Sequence, residues 1–148
     1  MADSGATARI LGVVHSAIAH DSAAKHVAGE ALYIDDLPEP ADLLHIHVGQ
    51  SGRAHAKIKR LDLSAVKAAP GVVCVLSACD VPGKNDISPI ANDDPLFPDM
   101  TVRYVGQPLF AVAAETLPKA RAAAALAVVE YEDLRAFLTI EAARTAGS

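Results

Sequence analysis

The sequence predicts an α+β domain, a mixed sheet with helices packed on one side. Three observations carry that prediction. Leu44, Ile46 and Val48 alternate with His45, His47 and Gly49, the period of two expected of a half-buried strand. Residues 72–76 (V-V-C-V-L) form a continuous apolar run between Pro70-Gly71 and Ser77. An alanine-rich segment opened by Thr116 and Pro118 lies between two more apolar runs, as a capped helix between strands would.

Taken in order, residues 1–19 are expected to be a flexible leader and residues 20–148 a single domain. Residues 30–34 (E-A-L-Y-I) are a short strand candidate, ended by Asp35 and Asp36. Pro38 and Pro40, unable to donate to a ladder, follow as a turn or edge. Residues 43–50 form the alternating strand, and residues 56–61 an exposed strand paired with it. Asp62 or Ser64 caps a helical turn through Leu63, Val66 and Ala69, stopped by Pro70-Gly71. Residues 72–76 suit a central strand covered on both faces.

Residues 78–99 hold Pro82, Pro89, Pro95 and Pro98 among Asn, Asp and Gly, a long loop expected to be among the most mobile regions. Residues 102–105 and 109–114 are strands separated by Gly106-Gln107-Pro108, which is either an ordinary bend or a place of close backbone approach. Beyond Thr116 the helix runs to about residue 126, with Ala120, Ala123, Ala124 and Ala127 on a small-residue face. Residues 128–132 alternate again, so 109–132 reads as a strand–helix–strand unit with a right-handed crossover. Thr139 caps a last helical turn over residues 139–143.

Composition narrows the function. The chain has 148 residues, enough to bury a core without staples. Thirty residues are alanine, with no Trp, three Phe and three Tyr, so the core is expected to be shallow and completed by a neighbouring domain. Thirteen basic against 18 acidic residues give a net charge of −5, with no basic stripe for nucleic acid. Residues 9–19 lack the basic flank of a secretory signal, and no apolar run is long enough to span a membrane, so a cytoplasmic location is expected. Cys74 and Cys79 fit a reducing compartment.

No catalytic, cofactor-binding or metal residue is assigned. His45 and His47 share a strand face near His55, yet they read as the polar face of an amphipathic strand rather than a ligand set. Cys74 reads as buried and inert, Cys79 as slightly more reactive. V-P-G-K-N-D at residues 81–86 lacks the second glycine and the hydroxyl residue of a phosphate loop. Asn92, Asp93, Asp94 and Asp99 lack calcium-loop spacing and read as turns. Asp35 and Asp36 point in opposite directions if extended, poor geometry for shared proton transfer.

Three phrases go further. They are H-D-S-A-x-K-H-V-x-G-E-A-x-Y-I-D-D at residues 20–36, S-x-R-A-H-A-K-I at 51–58 and D-V-P-G-K-N-D-I-S-P at 80–89. With P-G-V-V-x-V at 70–75, they resemble, in this order, the α/β hammerhead domain of the aldehyde oxidase and xanthine dehydrogenase family. G-K-N-D-I-S-P resembles the bacterial xanthine dehydrogenase branch. The resemblance implies a domain that precedes the molybdopterin-binding domains of the same subunit and has an iron–sulfur/FAD subunit as a further partner. The complete enzyme it implies hydroxylates hypoxanthine and xanthine to urate, using molybdopterin-bound molybdenum, iron–sulfur clusters and FAD. None of the catalytic positions of that enzyme falls in this region, so the domain alone is expected to be inert. Two alternatives stay open: a free-standing interaction or scaffold module with this fold, and the same domain of an aldehyde-type molybdenum hydroxylase.

Overall fold

A computed structural model describes residues 17–147. Most of the expected leader, residues 1–16, lies outside the described residues. The described residues fall into two compact units, divided between residues 39 and 40.

In the first unit, helix α1 (Ala23–Ala28) is closed by amides of Glu30 and Ala31 donating to the Lys25 carbonyl. The strand expected at residues 30–34 does not form. A 3-10 turn, Ile34–Asp36, takes its place, because the Asp36 carboxylate accepts the Tyr33 amide at 2.9 Å and offers the backbone a local partner instead of a ladder. The Tyr33 hydroxyl reaches His26 Nδ1 at 2.9 Å.

The second unit holds two three-stranded sheets, both wholly antiparallel. The α+β class is as predicted, while the mixed sheet is not. The first sheet has β1 (His45–Gln50) and β3 (Val72–Leu76) on either side of β5 (Pro108–Ala114). The second has β4 (Thr101–Val102) and β6 (Val128–Asp133) flanking β2 (Ala56–Asp62). Three expectations fall with this topology. Residues 56–61 pair with β4 and β6, not with β1. Residues 72–76 are an edge strand, and the central one is β5, whose seven residues are mostly buried. The strand–helix–strand unit ends in a different sheet, so no parallel crossover exists.

Helix α3 (Leu117–Ala124) begins where Thr116 Oγ1 accepts the Lys119 amide, and it packs its buried Ala120 and Ala123 on the first sheet. Helix α2 (Ser64–Lys67) follows Asp62, whose Oδ1 accepts the Ser64 amide at 3.0 Å and hydroxyl at 2.5 Å. Helix α4 (Ile140–Ala146) starts at Thr139, which accepts the Ala142 amide. No described helix is long and apolar enough to cross a membrane. The core joins both sheets to α2 and α3: Ala56, Ile58, Val66, Val75, Val102, Leu109, Phe110, Val112 and Ala123 form one buried cluster.

The loop between β3 and β4 is tied by its own side chains. Asn85 clasps Phe97 from both sides, donating to its carbonyl at 2.6 Å and accepting its amide at 3.3 Å. Lys84 bridges the Asn92 amide oxygen at 2.7 Å and the nearly covered Asp86 carboxylate at 3.3 Å. Ser88 Oγ accepts the amides of Ala91 and Asn92. The phrase G-K-N-D-I-S-P therefore has a structural use, since its polar side chains replace the ladder partners that a proline-rich segment lacks.

Asp62 and Asp80 are two of the described carboxylates whose surroundings favour the charged form. The hydroxyl and amide of Ser64 hold Asp62 below the ordinary value of 3.8, and those of Ser77 do the same for Asp80, in both cases against partial desolvation. A depressed folded-state pKa gives stability that is complete above the unfolded value and lost as pH falls through the folded one. The window thus lies below pH 3.8. Urea midpoints should therefore separate wild type from Asp62→Asn/Asp80→Asn near neutrality, and the gap should close in acid. An equal gap at both pH values would show that these hydrogen bonds do not discriminate between the charged and neutral carboxyl.

Candidate interaction surface

The feature of the second unit that demands a function is a sheet face. Directly opposed residues in an antiparallel pair share a face. The register places Ile46 opposite Ala113 and Val48 opposite Ala111, and on the other side Cys74 opposite Ala113 and Leu76 opposite Ala111. These six side chains form one face with no charged group. Ile46 is 62% exposed and Leu76 44%, and Cys74 is exposed as well.

The opposite face carries His45, His47 and Gly49 of β1 with Phe110, Val112 and Ala114 of β5 and Val75 of β3. That face meets the helices: Phe110, Val112, Ala114 and Val75 are buried, and the two histidines are half-buried. The sequence reading therefore had β1 inverted. Its apolar residues point away from the helices, and its histidines, expected on the polar outer face, lie inward. The physical reason is Phe110, whose ring occupies the space over Gly49 and anchors that side of β1 to the core. An aromatic ring laid over a strand glycine restores the packing the glycine lacks. Cys74, expected to be buried and inert, is instead on the exposed apolar face.

The edges reinforce the pattern. Native sheets blunt exposed edges with charge, bulges or short strands. Strand β6 carries Glu130, Glu132 and Asp133, β4 has only two residues, and β3 breaks register between Val72 and Cys74. Strand β1 has six residues and no formal charge, with a register shift only at Gly49/Gln50.

The residues weighed for chemistry are not brought together. Among the described residues no group of three or more His, Cys, Asp or Glu side chains could hold a metal ion. Cys79 is exposed and accompanied by Ser77 at 3.2 Å, outside the apolar face. Asp35 and Asp36 lie in a 3-10 turn of the first unit. Gly106-Gln107 is a turn that also brings two backbones together, the Gly106 amide donating to the Ser51 carbonyl at 2.8 Å and the Ser51 amide to the Gln107 carbonyl at 2.9 Å. Gly106 has φ +89° with open space beside it, and the Gln107 side chain, 5% exposed, accepts the Arg103 amide at 2.7 Å. Among the described residues the donor set fits neither an iron–sulfur cluster nor a pterin-bound metal.

Residues 28–135 match the family described as aldehyde oxidase and xanthine dehydrogenase, a/b hammerhead domain. The chain belongs to this family. It is 43% identical over 126 residues to xanthine dehydrogenase/oxidase of Gallus gallus, covering 85% of this chain and 9% of that protein. It is 44% identical over 127 residues to aldehyde oxidase 4 of Mus musculus, again covering 85% and 9%. Among solved structures, the aldehyde oxidoreductase from Desulfovibrio gigas superposes with a TM-score of 0.72 at 34% identity, over 83% of this chain and 15% of that one. The chain thus spans about a tenth of the length of the curated relatives it matches.

Proposed function

We propose that residues 20–148 serve as the hammerhead domain of a molybdenum hydroxylase of the xanthine dehydrogenase type, and that the uncovered sheet face is where the molybdopterin-binding domains pack. The observation that carries this reading is the charge-free face of Ile46, Val48, Ala111, Ala113, Cys74 and Leu76. A contiguous apolar surface of this kind marks an interaction site. An alanine-rich core with few aromatics gains from added apolar cover. The complete enzyme hydroxylates hypoxanthine and xanthine to urate in the cytoplasm, with molybdopterin-bound molybdenum, iron–sulfur clusters and FAD held elsewhere. An iron–sulfur/FAD subunit is its further partner. This chain contributes no catalytic group, and its net charge of −5 argues against a nucleic acid partner.

Reconstitution tests the proposal. A xanthine dehydrogenase deprived of its own hammerhead segment should regain solubility and hypoxanthine turnover when co-expressed with this chain. Full turnover without the chain, or purine oxidation by the chain alone, contradicts it. An aldehyde-type enzyme is the second reading, favoured by the 44% identity to aldehyde oxidase 4. Comparing hypoxanthine with aldehydes as substrates of the reconstituted enzyme separates the two.

A further inference from the structure

A second feature uses none of the residues of the uncovered face. A cleft of about 430 Å³ is walled by Ala54, His55, Arg103, Arg135, Phe137 and Leu138. Five of the described Lys and Arg side chains pair with carboxylates: Arg53 with Asp133, Lys59 with Glu132, Arg60 with Asp62 and Glu130, Lys84 with Asp86, and Lys119 with Glu115. Arg103 and Arg135 form no ion pair among the described residues, and they line the same cleft.

Three separate ties hold the groups in place. The buried Gln107 side chain accepts the Arg103 amide at 2.7 Å and fixes the backbone that carries the guanidinium. The Arg135 guanidinium lies over the Phe137 ring, 4.7 Å from its centroid, a cation–π contact that limits where the fork can point. His55 is bound twice: its carbonyl accepts the Leu134 amide at 2.9 Å, and its Nδ1 lies 2.8 Å from the Arg135 carbonyl. A carbonyl only accepts, so Nδ1 carries the proton. Groups anchored before a ligand arrives lose less freedom when it binds.

The geometry points to an anion site, in which a carboxylate or phosphate group is held by the Arg103 and Arg135 forks while a small apolar or planar body rests on the wall of Phe137 and Leu138. Guanidinium forks match the paired oxygens of both anion types and form shorter, stronger hydrogen bonds than neutral donors.

The 148-residue chain, labelled for NMR, is titrated with inorganic phosphate and with benzoate, and with chloride at matched ionic strength. The expected result is saturable shifts confined to the amides of His55, Arg103, Arg135 and Leu138. The stronger of the two probes identifies the anion class. Arg103→Gln and Arg135→Gln should each weaken binding by about tenfold or more. Arg135→Lys, which keeps the charge and loses the fork, should lose less. Chloride reproducing the same shifts, or wild-type affinity in both glutamine variants, overturns the site. If a glutamine variant unfolds, the chloride titration and the lysine variant still decide.

Discussion

Replacing Gly49 by valine should destabilise the chain by about 3 kcal/mol, the upper end of the usual overpacking penalty. Gly49 faces Phe110 across the β1–β5 pair, and any Cβ built there falls inside the van der Waals surface of the Phe110 ring. The ring cannot retreat freely, since Phe110 is 2% exposed and part of the cluster joining both sheets to the helices. Gly52→Ala is the internal control. Its Cβ meets nothing within 4 Å, so the change should stay within about 0.5 kcal/mol. Urea unfolding of both variants checks the contrast. Equal midpoints would show that the Gly49–Phe110 contact does not fix β1 on the core.

The second large effect is on assembly rather than folding. Ile46→Lys with Leu76→Lys places two charges on the uncovered face. Both positions are exposed in this chain, so its own unfolding free energy should move by no more than about 0.5 kcal/mol per site. Against the rest of a molybdenum hydroxylase the same charges would be buried without partners. Affinity should fall by roughly a hundredfold, about 3 kcal/mol. Calorimetric or pull-down titration against the hammerhead-deleted enzyme measures it. Unchanged affinity would move the interface elsewhere.

These two positions also show where sequence reading succeeds and where it fails. Strands β1, β5 and β6, the Thr116 and Thr139 caps and the small-residue face of α3 were legible, because each rests on local periodicity or local hydrogen bonding. Pairing was not, because alternation identifies a strand without naming its neighbour. Residues 72–76 look like a central strand in composition and lie at an edge, where Cys74 and Leu76 are exposed among the described residues. The inversion of β1 has the same origin. An apolar stripe predicts a core-facing side, and here the core side is set by a glycine and a histidine pair opposite Phe110, Val112 and Ala114. The family phrases identified the family. Their polar residues, Lys84, Asn85, Asp86 and Ser88, fasten a loop, and no spacing rule foretold those partners.

Alkylation of Cys74 tests the interface most directly. Its thiol lies on the uncovered face beside Ala113, and a Cys79→Ser variant leaves it as the sole reporter. Rapid labelling of the chain alone, with protection once it is assembled with the molybdopterin-binding domains, is the predicted outcome. Equal labelling rates in the free and assembled states would contradict the assignment of this face as the docking surface.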